Sequence, residues 1–133
     1  MRYLLDTSII IDLLRNEETV RKFIADHMED EIITSCICQA EVAAGIYHSK
    51  TDDISKRKKQ TDEIFSSFFQ VSEFDSSQAD IFGRIKADLA ENGQLIEDMD
   101  ILIAAACISN NAILVTGNLK HFDRVKNLQI FPL

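Results

Sequence analysis

Short apolar runs alternate with amphipathic stretches along the whole chain. Tyr3-Leu4-Leu5 stops at Asp6; Thr7 and Ser8 follow, and Ile9-Ile10-Ile11 opens a second run. The first run predicts a buried strand. The second predicts a helix from Ser8 to about Arg15, with Thr7 or Ser8 as its cap, because a side-chain oxygen there accepts from the free amides of the first turn. Val20, Phe23, Ile24 and Met28 recur at helical spacing. The β-branched run from Glu31 to Ile37 predicts a second strand, followed by a helix from Gln39 to His48.

A charged stretch from Lys50 to Gln60 leads into an apolar face of Ile64, Phe65, Phe68 and Phe69. Gln70 to Phe74 is a short strand. Asp75-Ser76-Ser77 caps a helix carrying Ile81, Phe82, Ile85 and Leu89, which Asn92-Gly93 ends. An alanine-rich helix from Glu97 to about Asn110, a strand from Ala112 to Thr116, a short helix from Leu119 to Val125 and a strand from Leu128 to Phe131 complete the series. Strands alternating with helices imply an α/β fold with a mainly parallel sheet.

Composition narrows this further. At 133 residues, with one proline, four glycines and no linker or repeat, the chain reads as one domain, 1–133, and 46% hydrophobic residues can fill its core. A formal net charge of -8 argues against a protein that coats nucleic acid by charge alone. It is compatible with a nuclease that holds phosphates through bound cations, and with a surface for a basic partner. Cys36, Cys38 and Cys107 are odd in number and without repeated spacing, so they read as free thiols rather than a disulfide framework or a zinc site. Asp6 leaves no room for a signal peptide, and no apolar run reaches membrane-spanning length. The expectation is a soluble, cytoplasmic protein.

Polar groups fall just after a strand or at the start of a helix in four places: Asp6, Glu41, Asp98 with Asp100, and Thr116 with Asn118. Strand ends of a parallel sheet share one edge, where ligands bind, so residues far apart in sequence can converge there. Several carboxylates in one cleft repel unless a cation neutralises them, and Mg²⁺ and Mn²⁺ prefer such oxygen ligands. A plainer reading stands beside each residue. Asp6 can be a helix cap; Asp98 and Asp100 suit a helix N-terminus on dipole grounds; Asn118 can be a turn residue; Asp12 is a solvated helix position. Glu41 is expected in the first turn after the second strand. Asp100 leads directly into Ile101-Leu102-Ile103-Ala104-Ala105-Ala106, too apolar for a surface helix.

With these residues in order, the chain resembles the PIN-domain ribonucleases of the VapC toxin type, over nearly its whole length. The resemblance rests on Leu4-Leu5-Asp6-Thr7-Ser8, on Glu41, on Asp100-Ile101-Leu102-Ile103-Ala104-Ala105, and on Val115-Thr116-Gly117-Asn118-Leu119-Lys120-His121-Phe122. It implies a three-layer α/β/α sandwich. It also implies a metal-dependent endoribonuclease, the toxin of a type II toxin–antitoxin pair, with Mg²⁺ or Mn²⁺ held by Asp6, Glu41 and Asp100. Ser8 and Thr116 would support by hydrogen bonding, and Asp98 would serve as an outer carboxylate. Many members carry a fourth acid where this chain has Asn118; others carry asparagine. A cognate VapB-like antitoxin and a homodimer are further implications, and surplus apolar surface around Phe65, Phe68 and Phe69 points the same way.

Two alternatives remain open at this stage. Glu41 with Asp98-Met99-Asp100 fits another acidic metal enzyme of the Toprim type, and a non-catalytic binding module is the other. Among the basic residues, Lys56-Arg57-Lys58-Lys59 reads as a solvated face. Lys120 and Arg124, near the candidate site, suit RNA phosphate contact. His121 reads as structural or phosphate-facing.

Overall fold

A computed structural model of the chain describes residues 1–50 and 53–133. The described strands are β1 (Arg2–Leu5), β2 (Glu31–Ser35), β3 (Gln70–Ser72), β4 (Ile113–Thr116) and β5 (Ile130–Pro132). The described helices are α1 (Thr7–Leu14), α2 (Glu18–Asp26), α3 (Cys36–His48), α4 (Ile54–Ser67), α5 (Ser76–Glu91), α6 (Asp98–Ser109) and α7 (Leu119–Phe122). The strands form one five-stranded sheet in the order β3-β2-β1-β4-β5. Every pairing is parallel, with Leu4 opposite Ile33 on one side and Leu114 on the other.

That order dictates the layers. From β1 the chain steps outward to β2 and β3, then crosses back to β4 and β5 on the opposite side. Right-handed crossovers put the helices of the two progressions on opposite faces of the sheet. Helices α1 to α4 therefore cover one face and α5 to α7 the other, the three-layer α/β/α arrangement. The direction of winding reverses between β1 and β4, and the crevice outside their carboxyl ends is the usual ligand position in such sheets.

The core explains the strand sequences. Leu4, Leu5, Ile33, Leu114 and Val115 are completely buried, as expected for strands covered on both faces. Full burial of each such side chain contributes about 1.5–3 kcal/mol. Helix α6 buries Ile101, Ile103, Ala104, Ala105, Ala106 and Cys107, so it is apolar nearly all round and has no solvated stripe.

Capping residues set the boundaries and correct two expectations, and burial corrects a third. Asp6 itself caps α1, accepting from Thr7 N at 2.6 Å, in place of Thr7 or Ser8. Ser35 caps α3 by accepting from Cys38 N at 3.2 Å. The second strand therefore stops at Ser35, and Cys36 and Ile37 belong to the helix despite their strand-like character. Phe68 lies beyond the end of α4; it packs on Phe65 at a ring separation of 5.7 Å and on the core. Of the three phenylalanines only Phe69 is exposed, so the surplus apolar surface expected there is small. Asp75 caps α5 as expected, accepting from Gln78 N at 2.9 Å, and α5 ends at Asn92 with Gly93 at a left-handed φ of 65°. The charged stretch enters α4 from Ile54; Thr51 and Asp52 lie outside the described residues.

Candidate active site

Asp6 sits where β1 runs out into the switch crevice. Its backbone N donates to Val115 O at 3.0 Å, which extends the β1–β4 ladder by one bond. Its side chain is almost fully enclosed and is met by donors on both oxygens. Oδ1 accepts from Thr7 N at 2.6 Å; Oδ2 accepts from Thr116 Oγ1 at 2.7 Å and from Ser8 Oγ at 3.2 Å. Capping and site-building are thus one arrangement. Burial pushes the Asp6 carboxyl above the usual carboxylate range, against the pull of the Thr116, Thr7 and Ser8 hydrogen bonds, and the charge of Asp100 adds to the rise. Ser8 and Thr116 thus both hydrogen-bond the same Asp6 oxygen.

Glu41 comes from α3. Because Ser35 starts that helix early, Glu41 lies in its second turn rather than its first. It faces α1, where Thr7 Oγ1 donates to Glu41 Oε1 at 2.6 Å. Burial raises the Glu41 carboxyl as well, Thr7 opposes the rise, and the charges of Asp6, Asp100 and Glu97 reinforce it. Thr7 was expected only as a cap, and neither it nor Glu97 was expected beside Glu41. A hydroxyl directly behind a strand-end carboxylate was the available signal for Thr7, and the residue opening the α6 helix was the signal for Glu97.

Asp100 comes from the first turn of α6 and is largely covered. Its Oδ2 lies 3.0 Å from His121 Nδ1, and Asn118 Nδ2 lies 3.0 Å from the same ring nitrogen. Asn118 is also bound through its backbone, its N donating to Thr116 Oγ1 at 2.9 Å. Asp98 is not brought in. Two residues along a helix is a rotation of about 200°, so a turn that aims Asp100 inward aims Asp98 out. Its carboxylate pairs with Lys86 Nζ at 2.9 Å on the surface.

Near the site, Lys120 is exposed and has no hydrogen-bond or ionic partner among the described residues. Arg124 Nη1 reaches the carbonyls of Gln94 and Leu95 at 3.4 and 3.3 Å, so it secures the α5–α6 loop. Lys126 pairs with Asp88 at 3.2 Å. The buried thiols take no part: burial holds Cys38 in its thiol form and pushes Cys107 up to about 12.

Among the described residues no three His, Cys, Asp or Glu side chains stand ready as a coordinating cluster. Each acid is instead held by hydrogen bonds: Asp6 by Thr116 and Ser8, Glu41 by Thr7 and Asp100 by His121. The donor chemistry nevertheless fits a hard divalent cation. Asp6, Glu41 and Asp100 offer carboxylate oxygens, lie within one another's electrostatic field, and neither Asp6 nor Glu41 has a cationic partner among the described residues.

Comparison with known proteins agrees with this fold. Residues 3–128 match the PIN domain family. Ribonuclease VapC2 of Haemophilus influenzae is 31% identical over 125 residues, covering 94% of this chain and 92% of that protein. The tRNA(fMet)-specific endonuclease VapC of Shigella flexneri is 27% identical over 129 residues, covering 97% and 96%. Among solved structures, VapBC2 from Rickettsia felis bound to a DNA fragment from its promoter superimposes with a TM-score of 0.91 at 28% identity, covering 100% of this chain and 99% of that one. With its sheet order, its carboxylates at the β1–β4 crevice and these relatives, the chain belongs to the PIN-domain family, among the VapC ribonucleases.

Proposed function

We propose that this chain, as a single domain spanning residues 1–133, is a divalent-metal-dependent endoribonuclease and the toxin of a toxin–antitoxin pair. In this reading Asp6, Glu41 and Asp100 hold the ion. What supports it is that Asp6, at the end of β1, and Glu41, on α3, are both raised by burial and by the charge of Asp100 on α6, and that neither has an ionic partner among the described residues. Oxygen donors favour Mg²⁺ or Mn²⁺. Such an ion supplies Lewis acidity and a lowered water pKa for phosphodiester hydrolysis.

The remaining tasks belong to the chain's own residues. Thr116 and Ser8 fix both the position and the charge of Asp6. Thr7 fixes Glu41. Asn118 ties the α7 loop to Thr116 and, being an amide, adds no charge. Lys120, exposed beside His121, would meet an RNA phosphate, and Arg124 would add positive charge while it secures the neighbouring loop. The Toprim-type alternative needs Asp98 beside Asp100 and does without Asp6; here Asp98 faces solvent and Asp6 is central, which favours the PIN reading.

Relatives of known structure include VapBC2 of Rickettsia felis and VapBC-1 of Haemophilus influenzae, so the partner we assign is a VapB-like antitoxin. A groove between α1, α3 and α4, with Ile11, Leu14 and Ile46 on its floor and Arg15 and Arg57 on its rim, runs to Glu41 and suits a peptide with apolar and acidic side chains. We also assign a homodimer and a cytoplasmic location. No described helix is long and apolar enough to cross a membrane.

The test is RNA cleavage by the purified chain with Mn²⁺, with Mg²⁺ and with a chelator. Cleavage should need the ion, and Asp6→Asn should lose it together with Mn²⁺ binding in calorimetry. Cleavage that persists in chelator, or a fully active Asp6→Asn, overturns the assignment.

A further inference from the structure

We infer that His121 is a positioning residue that holds Asp100 in its ligating orientation through Nδ1. The inference rests on the metal-site reading above. His121 Nδ1 is 3.0 Å from Asp100 Oδ2, and Asn118 Nδ2 lies 3.0 Å from the same nitrogen. One ring nitrogen cannot both donate to the carboxylate and accept from the amide. A lone pair on Nδ1 would face the carboxylate charge, whereas an N–H there makes a charge-assisted bond, the stronger of the two options. Nδ1 therefore carries the proton. A half-turn of the Asn118 amide then presents its oxygen to the ring, and amide nitrogen and oxygen exchange places readily in this way.

The surroundings make this contact a brace rather than a passing surface pair. Phe122, next to His121, is completely buried and fixes the α7 turn in the core. Asn118, which opens that turn, is bound through its backbone N to Thr116 Oγ1, and Thr116 binds Asp6 Oδ2. One short segment thus touches two acids that come from opposite ends of the chain: Asp6 through Thr116, and Asp100 through His121. Asp100 has no other hydrogen-bond donor among the described residues. Without His121 its side chain is free to turn about its own bonds, and a ligand that must be fixed at binding holds a cation less tightly. Removing a partner that orients a metal ligand typically weakens metal affinity or activity by about 10- to 100-fold. Nε2 has no partner among the described residues, so the argument places the work at Nδ1 alone.

Three substitutions separate this role from its rivals. His121→Asn puts an amide N–H near the place of Nδ1; His121→Gln puts one near the place of Nε2; His121→Ala removes both. Mn²⁺ affinity is measured by calorimetry, the metal-free melting temperature gives the fold, and kcat and KM for RNA are measured at saturating Mn²⁺. His121→Ala should bind Mn²⁺ about 10- to 100-fold more weakly, and His121→Asn should recover most of that loss while His121→Gln does not. KM for RNA should change little beside kcat. Unchanged Mn²⁺ affinity in folded His121→Ala overturns the inference, as does rescue by Gln rather than Asn, or by neither. Should His121→Ala fail to fold, the Asn and Gln variants alone decide. The wild type keeps the two readings apart: if it neither binds Mn²⁺ nor cleaves, the metal-site reading itself has failed.

Discussion

Thr116 and Asp6 are 110 residues apart in the chain, and Thr116 Oγ1 donates to Asp6 Oδ2 at 2.7 Å in a fully enclosed position. The same hydroxyl oxygen accepts from Asn118 N. One small side chain thus satisfies a buried carboxylate and a backbone amide together. Thr116→Val keeps the shape but removes both bonds. The unmet groups should cost about 1–3 kcal/mol, read from urea denaturation, and Thr116→Ser should recover most of it. A Val variant as stable as the parent removes this hydroxyl from the account of the site.

Asp100→Asn should have two opposite effects. It should abolish RNA cleavage, and it should leave the metal-free protein as stable as the parent or more so, since a charge that opposes ionised Asp6 and Glu41 is gone. Mn²⁺ at about 100 times its Kd should raise the parent's stability by about 2.7 kcal/mol, roughly 10 °C in Tm, and the variant's by much less. A purely structural aspartate at a helix start predicts the reverse, a loss of about 0.5–1 kcal/mol with cleavage intact. Melting curves with and without Mn²⁺, run beside the cleavage assay, distinguish the two.

The pH dependence follows from burial. The carboxyls of Asp6 and Glu41 are raised in the folded protein, so over the window between their unfolded and folded pKa values the native state binds more protons than the unfolded chain. Stability contributed by these groups therefore falls as pH rises through that window. The penalty is absent below the ordinary carboxylate range and complete above the raised values. In metal-free protein, Asp6→Asn should gain on the parent as pH rises from about 4 toward neutrality. A stability difference that stays flat across that range contradicts the burial argument.

Asp98 and Lys120 give a contrast. The Asp98–Lys86 pair is exposed, so Asp98→Asn should change stability by less than about 1 kcal/mol and leave cleavage unchanged. Lys120→Ala should weaken RNA binding and reduce the salt slope of log K by about 0.7 for a single-stranded substrate. Strong loss of cleavage in Asp98→Asn would return Asp98 to the site; an unchanged slope would move the RNA path away from Lys120.

The places of Asp6 at a strand end and Asp100 at a helix start were legible in the sequence because each stands where an apolar run ends or begins, whereas Glu41 lies a turn deeper in its helix than expected. Asp98 was misplaced for want of one consideration, the rotation between residues two apart on a helix. The end of β2 was hidden because Cys36 and Ile37 continue an apolar pattern, while Ser35 decides the boundary by capping. The aromatic surplus was overstated because a linear run of phenylalanines does not show that Phe65 and Phe68 turn inward. His121 was invisible in its role: its contact with Asp100 crosses 21 residues and exists only once α7 has docked.

The strand order has a consequence for how the protein is made. β1 lies at the centre of the sheet and pairs with β4, far along the chain, with Tyr3 opposite Ile113. Closing so distant a pairing is slow compared with local helix formation. During translation Asp6 waits beside an empty slot until Thr116 emerges, and Asp100 waits for His121. The hydrogen bonds that hold Asp6 and Asp100 are therefore among the last to form, because each waits on a pairing with a segment far along the chain.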